Sequence, residues 1–508
     1  MAESVAGNGS SKSVTLHNRV GMMERLTTIL RGVDVVTDIP FDLPVQSICA
    51  DSRHVWPGAL FVALKGMTQD GTEFIPEALR RGAAVIVSNG HQLSGHPNAP
   101  VIRVKDPRRA LSRIAANFFE HPSRSMTVIG ITGTNGKTTT SFLLRSILRV
   151  QGLETGLMGT LGIKAPGMEA HSTLTTPDII DLHKTLRLFL DTGVTHVVME
   201  VSSHALRLNR VEDVEFDQAI FTNLGQDHLD FHGTTEAYFK SKSKLFSMLP
   251  PDSTAILNAS DGRFGMLKEL TRGNVVSYTA EGVADVTFRE WGMSMGGITG
   301  NISANGENIS IDSSLFGLHN LENIVAAVAA ARSLQIPIDA IEKGVKACNL
   351  VPGRMETMMT KNGATVVVDY AHTPDAYQKL FSSLKNLLNE NNRLWVIFGC
   401  GGNRDHEKRP FMAAAAETFA HKVFITPDNP RTESLDRISE DIRAGFRKKT
   451  HTFYDDRVQA IRDAMASLEG GDILAIVGKG REECQIVGTE RIPHSDIRTV
   501  RGVISEGK

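Results

Sequence analysis

GITGTNGKTTT, residues 130–140, follows a short apolar run, Met126–Ile131, and opens a helix-patterned stretch. Strand, glycine loop and helix in that order form a phosphate cradle. Small residues let backbone N–H groups approach phosphate oxygens, and the helix N-terminus adds a favourable dipole. Lys137 supplies charge and Thr138 a hydroxyl able to hold Mg²⁺. The loop is a variant: the common GxxxxGK[ST] spacing needs glycine where Ile131 stands, and the glycines here are Gly130, Gly133 and Gly136. An ordinary glycine-rich turn is disfavoured, because GKTT leads into Leu143/Ile147 and Leu144/Leu148 pairs at i,i+4. The motif points to a nucleoside triphosphate and leaves the reaction open.

A chain of 508 residues suits about three domains. Its 55 basic and 57 acidic residues nearly cancel, so nothing draws it as a whole toward nucleic acid or anionic membrane. Cys49, Cys348, Cys400 and Cys484 lack CxxC spacing, and no apolar run reaches the roughly 20 residues of a membrane span. A reduced, cytoplasmic protein is expected. Residues 1–20, rich in Ser, Gly and Asn, read as a flexible tail rather than a secretory signal.

The expected fold class is α/β in three domains. Residues 21–105 mix strand-like runs (Leu60–Leu64, Ala84–Val87, Val101–Val104) with helical stretches, and Pro107 suits the first turn of the next helix. From 106 to 350, strands Met126–Ile131, Val197–Val201 and Ala219–Thr222 alternate with helices such as Asn323–Ser333, which implies a mostly parallel sheet. Between 283 and 316, Gly296-Gly297 and Asn305-Gly306 suggest a hairpin-bearing excursion. From 351 to 508 the strands Thr365–Val368, Leu394–Phe398, Val423–Thr426 and Ile473–Val477 end in turns carrying Asp369, Gly399–Arg404, Asp428–Arg431 and Gly478–Glu482. Ligands of open α/β sheets bind beyond the carboxyl ends of the strands, so these turns form a candidate site. No GxGxxG stands between strand and helix, which disfavours a dinucleotide.

Further stretches converge: DSR (51–53) with PGALFVA, TTPD (175–178), EVSSHAL (200–206), FTNLGQDHLDFHG (221–233), YFKSKSKLF (238–246) and GLHNLEN (317–323). VPGRME (351–356), DYAHTPDA (369–376), CGGNRD (400–405), DNPR (428–431) and GKGREE (478–483) complete the series. Together with the glycine loop they resemble the Mur ligases of bacterial cell-wall synthesis, of the MurE type that adds the third residue of the peptide stem. The resemblance covers nearly all of the chain after residue 45. It implies a small N-terminal UDP-binding domain, a central P-loop ATPase domain and a C-terminal Rossmann-like domain that takes the amino acid. A carboxylate is a poor acyl donor, so it must first accept the γ-phosphoryl of ATP; the acyl phosphate is then attacked by an amine. Positioning and charge neutralisation are the main demands of the phosphoryl step.

The resemblance implies ATP contacts at Gly133, Thr134, Asn135, Gly136, Lys137, Thr138, Thr139, Asn320, Arg354, Asp369 and His372. Glu200 ends an apolar strand, where a carboxylate is costly unless paired or bound to a cation. Mg²⁺ prefers oxygen ligands and keeps several waters, which suits Thr138 and Glu200. The resemblance adds His228 as a ligand of a second ion and makes Lys242 a carbamylated lysine, an anionic oxygen ligand; by spacing alone Lys240, Lys242 and Lys244 read as a solvated basic face. UDP-substrate contacts are implied at Ser52, Met67, Thr68, Gln69, Thr175, Thr176, Ser202 and Arg210, which otherwise read as turn and strand-end residues.

In the family, DNPR accompanies meso-2,6-diaminopimelate, whereas lysine-adding enzymes usually lack its arginine. A guanidinium pairs well with the second carboxylate of diaminopimelate. Arg431 with Arg404 is expected to take that carboxylate, while Glu482 and Asn429 face the ammonium, with Asp428, Pro430 and Gly478 completing the site. Arg481 stands where the family usually has His. The expected reaction joins meso-2,6-diaminopimelate to UDP-N-acetylmuramoyl-L-alanyl-D-glutamate with ATP and Mg²⁺, in a monomer. Linkers near Asp106 and Val351 are expected to act as hinges. Lysine addition, folylpolyglutamate synthesis and a non-catalytic scaffold are the alternatives.

Overall fold

The structure is a computed structural model that describes residues 23–36, 39, 41–66, 69–90 and 100–507. The expected tail and the UDP-contact candidates Met67 and Thr68 lie outside the described residues. The chain forms two compact units: residues 1–128 with 154–216, and residues 129–153 with 217–508.

In the first unit a parallel sheet runs in the order Ser47–Cys49, Ala59–Val62, Val85–Ser88, Val101–Arg103. Every residue of its two central strands is buried, as expected of a parallel sheet covered on both faces. Leu26, Ile29, Leu111 and Ile114 cover one face; Ile75 and Ala78 cover the other. Helix Pro107–Phe118 begins at its proline, and Asp106 caps it by accepting from the N–H groups of Arg108 and Arg109 at 2.9 and 3.2 Å. The strand Thr155–Gly159 runs parallel to His196–Glu200 and antiparallel to Gly162–Ala165.

In the second unit residues 129–132, which lead into the glycine loop, lie parallel to Gln218–Phe221, followed by Thr254–Asn258 and Asn274–Thr279. The expected hairpin region is a three-stranded meander, Val286–Ser294, Gly297–Ala304 and Glu307–Ser313. Asn305 and Gly306 form its second turn with φ of 50° and 87°, the left-handed pair that a two-residue hairpin loop requires. Helix Leu318–Ser333 is buried on all sides from Asn323 to Ala331, which explains its apolar run without a polar face.

The C-terminal sheet is ordered Glu356–Met359, Thr365–Asp369, Ile473–Val477, Leu394–Phe398, Lys422–Ile425, His451–Phe453, with only the first strand antiparallel. The four expected strands are all present. The last of them inserts between the first two, so the turns after Asp369, Phe398, Ile425 and Val477 meet at one sheet edge.

Candidate active site

The glycine loop is stitched to the turn after Phe221. Asn135 N–H donates to Asn223 Oδ1 at 3.0 Å, and Thr222 Oγ1 donates to the Asn135 carbonyl at 2.6 Å. This approach requires glycine: a Cβ on Gly133, at φ 149°, would lie 1.8 Å from Thr222 Oγ1, and one on Gly136, at φ 88°, 2.3 Å from Asn323 Oδ1. Two ammonium groups converge on the Gly133 carbonyl, Lys137 Nζ at 2.8 Å and Lys242 Nζ at 2.7 Å. Lys242 is buried, not the solvated residue that spacing suggests. Burial, reinforced by the charge of Lys137, pushes its ammonium well below the ordinary lysine range. Lys242 also sits 4.4 Å above the Tyr238 ring, whose hydroxyl is 3.2 Å from Thr134 Oγ1 and whose face is 6.2 Å from the His228 ring. Tyr238 thus gathers the loop, Lys242 and His228.

A cavity of about 630 Å³ opens beside the loop, lined by Asn135, Gly136, Thr138, Thr139, Arg354, Asp369 and His372 among the expected ATP residues. Gly133, Thr134, Lys137 and Asn320 do not line it. The Asn320 amide donates to the Phe316 carbonyl at 2.7 Å and accepts from Asn323 Nδ2 at 2.9 Å, which braces Asn323, a residue that does line the cavity. Arg354 Nη2 is 3.5 Å from Thr138 Oγ1, and its guanidinium stacks 4.6 Å over the Tyr370 ring. Asp369 accepts from the N–H groups of Met355 and Ala371 at 2.8 and 2.7 Å, which holds the Arg354 turn against the strand end.

A smaller cavity of about 160 Å³ is lined by Arg404, Asp428, Asn429, Arg431, Gly478 and Glu482, together with His228 and Asp227. Of the residues expected there, Pro430 alone does not line it. Tyr370 and His372 line both cavities. Arg431 adopts φ 53° and donates through Nη1 to the Gly402 carbonyl at 2.8 Å. Burial and the neighbouring Arg404 lower its affinity for the proton, the state a carboxylate partner would relieve. Asn429 Nδ2 donates to Glu482 Oε2 at 2.9 Å, while Asn429 Oδ1 accepts from Lys479 and from Ile486 N–H. The asparagine oxygen is therefore engaged within the protein, while Asn429 still lines the cavity it was expected to face.

Asp227 stands at the wall of the smaller cavity, 3.4 Å from His228, 3.7 Å from His372 and 3.4 Å from Lys408. Burial opposes its charge, but the hydrogen bond and charge of His372, then Lys408 and His228, hold the carboxyl well below its usual range.

In the first unit Glu200 is buried at its strand end. Its carboxylate accepts from the N–H and hydroxyl of Thr160 at 3.0 and 3.1 Å, and that hydroxyl is 3.1 Å from Thr175. Thr176 donates to the Glu200 carbonyl at 2.8 Å and accepts from Ser202 N–H at 3.0 Å; Arg210 reaches the Thr176 carbonyl at 3.2 Å. The structure thus gathers Thr175, Thr176, Ser202 and Arg210 around Glu200. Ser52 is instead held by Glu77 at 2.7 Å, and Gln69 is exposed. Sequence reasoning missed Thr160, Asn223, Asp227, Tyr238, Asn323, Tyr370 and Lys479. All but Thr160 lie within the motifs quoted above, and motif membership was the available signal; Lys408, also missed, had none.

Three family models match in order: "Mur ligase family, catalytic domain" at residues 44–119, "Mur ligase middle domain" at 131–331 and "Mur ligase, glutamate ligase domain" at 353–480. The UDP-N-acetylmuramoyl-L-alanyl-D-glutamate–2,6-diaminopimelate ligase of Caldanaerobacter subterraneus subsp. tengcongensis is 37% identical over 95% of this chain and 100% of its own length. The Aquifex aeolicus protein of the same name is 40% identical over 92% and 95%. A solved structure of a ligase of that name superposes with a TM-score of 0.67 at 30% identity, covering 96% of this chain and 99% of that one. With its sequence matched along nearly its whole length and its architecture shared, this chain belongs to the Mur ligase family.

Proposed function

We propose that this ATP-dependent ligase joins meso-2,6-diaminopimelate to UDP-N-acetylmuramoyl-L-alanyl-D-glutamate, releasing ADP and phosphate, as a step of peptidoglycan precursor synthesis. The observation that carries the proposal is the shared wall. Tyr370 and His372 face both the cavity beside the glycine loop and the cavity holding Arg404, Arg431 and Glu482. An acyl phosphate made on one side can meet an amine on the other without crossing bulk water. The names of the relatives carry the same substrates.

Lys137 and Arg354 neutralise the phosphates, and the backbone N–H groups of the loop orient them. The substrate carboxylate takes the γ-phosphoryl; the amine then forms the new C–N bond as the C–O bond to phosphate breaks. Arg431 and Arg404 pair with the distal carboxylate of diaminopimelate. Thr175, Thr176, Ser202 and Arg210, with Ser52, Met67, Thr68 and Gln69, are assigned to the UDP substrate. Residues 21–105, 106–350 and 351–508 are assigned to UDP substrate, ATP and amino acid respectively.

Among the described residues no group of three or more His, Cys, Asp or Glu could hold a metal. We assign Mg²⁺ to the reaction because it takes oxygen ligands, waters and substrate phosphates. Thr138 and Glu200 are assigned to one ion and His228 to a second, with Lys242 as N6-carboxylysine helping to organise them; bound Mg²⁺ would neutralise phosphate charge. Burial favours the neutral, nucleophilic amine of Lys242 that carbamylation requires. We also assign a monomer in the cytoplasm with no membrane partner, and no nucleic-acid partner, as a net charge of −2 suggests.

The test offers the UDP-dipeptide, ATP and Mg²⁺ with diaminopimelate or lysine, and measures phosphate release and product mass. Amide formation with diaminopimelate, faster than with lysine, is expected. Faster turnover with lysine, or no amide with either, would overturn the proposal. Lys137→Ala should abolish turnover, which a scaffold would not notice.

A further inference from the structure

Lys479 is a fully buried ammonium beneath the smaller cavity, and none of the roles above uses it. It donates to Asn429 Oδ1 at 3.1 Å and to Glu482 Oε2 at 2.8 Å, and lies 3.9 Å from Asp428 Oδ1. Asn429 Oδ1 also accepts from Ile486 N–H at 2.9 Å. With two donors on its oxygen, the amide of Asn429 has one orientation, and its Nδ2 must point at Glu482, which it reaches at 2.9 Å. Glu482 Oε2 therefore accepts two hydrogen bonds, and among the described residues no donor reaches Oε1. The turn permits this placement because Gly478, at φ 106°, has no Cβ; one there would lie 2.7 Å from Asp428 Oδ2.

We propose that Lys479 is a positioning residue for amino-acid selection: it locks Asn429 and Glu482 in one arrangement, leaving a single carboxylate oxygen, Glu482 Oε1, to receive the distal ammonium of the incoming amino acid. The proposal rests on the diaminopimelate assignment above. It makes Asn429 an orienting group rather than a ligand of the ammonium. It also explains how two neighbouring acids, Asp428 and Glu482, share one pocket: the buried ammonium lies between them and offsets their repulsion.

The test measures KM for diaminopimelate and for ATP in Lys479→Met, Glu482→Gln and the double variant, with melting curves for each. Loss of a buried charged donor predicts a rise of about 10- to 100-fold in KM for diaminopimelate in Lys479→Met, with KM for ATP within about twofold. In the Glu482→Gln background the same change should add less than about twofold, because the residue it acts through is already neutral. An unchanged KM for diaminopimelate, a proportional rise in KM for ATP, or an equal effect in both backgrounds would overturn the proposal. If Lys479→Met alone fails to fold, the double variant decides against Glu482→Gln: equal KM supports, a further rise refutes. Failure of the wild-type chain to use diaminopimelate would sink the substrate assignment instead, independently of any variant.

Discussion

At the scale of single residues, Arg431 is the position where chemistry and geometry are most tightly joined. Its left-handed backbone and its bond to the Gly402 carbonyl leave the guanidinium facing the smaller cavity beside Arg404. Arg431→Lys keeps the charge and loses the planar fork, so kcat/KM for diaminopimelate should fall about 100-fold while kcat/KM for lysine stays unchanged. Competition kinetics with both amino acids check it; an equal loss for both would point to general damage. Glu433 offers a pH-dependent counterpart. The buried Arg409 donates to both of its carboxylate oxygens at 2.8 Å and to the Gly401 carbonyl at 3.0 Å, tying the Gly401 turn to the Arg431 loop. The Arg409 hydrogen bonds bring the Glu433 carboxyl from 4.5 to about 2. A lowered carboxyl stabilises the fold fully above about 4.5 and loses that contribution as pH falls toward 2. Urea unfolding should show Glu433→Gln less stable than wild type at pH 7, with the gap closing across that window. A gap independent of pH would show that the charge of Glu433 is not what matters.

At the scale of elements, the helix opening at Lys137 is set by contacts on both ends. Its first turn depends on Gly133 and Gly136, and its last turn packs on helix Ile338–Ala347, where a Cβ at Gly344 would lie 2.4 Å from the Ile147 Cα. Gly344→Ala should cost about 1–3 kcal/mol by overpacking, read from chemical denaturation, with KM for ATP nearly unchanged in the folded fraction. Gly133→Ala should do the reverse at the site: nucleotide binding is lost, because the Thr222 hydroxyl occupies the space the methyl needs. Calorimetric titration with a non-hydrolysable ATP analogue distinguishes the two. The elements themselves were largely legible, since fully buried parallel strands such as Leu394–Phe398 read as unbroken apolar runs. The second antiparallel turn of the meander was legible too, from Asn305-Gly306.

At the scale of the whole molecule, the two cavities of the second unit share Tyr370 and His372, so occupancy of one should be felt in the other. The non-hydrolysable analogue is expected to change the affinity for diaminopimelate by about fivefold or more, and diaminopimelate the affinity for the analogue by the same factor, as linkage requires. Paired calorimetric titrations measure both; identical affinities with and without the other ligand would show that the wall transmits nothing.

From its sequence alone this chain was committed to an α/β fold, to a phosphate-binding glycine loop at 130–140 and to strand-end turns loaded with charge at 369, 404, 428 and 478. These are local properties: periodicity, glycine placement and turn chemistry involve residues adjacent along the chain. Tertiary structure decided which polar groups remain available. Lys242 is a buried partner of the Gly133 carbonyl rather than part of a solvated face, Asn320 supports Asn323, and Asn429 turns its oxygen to Lys479. Each of the outcomes for Lys242 and Asn429 depends on a partner 50 or 109 positions away, and no short-range pattern records where packing brings such partners together.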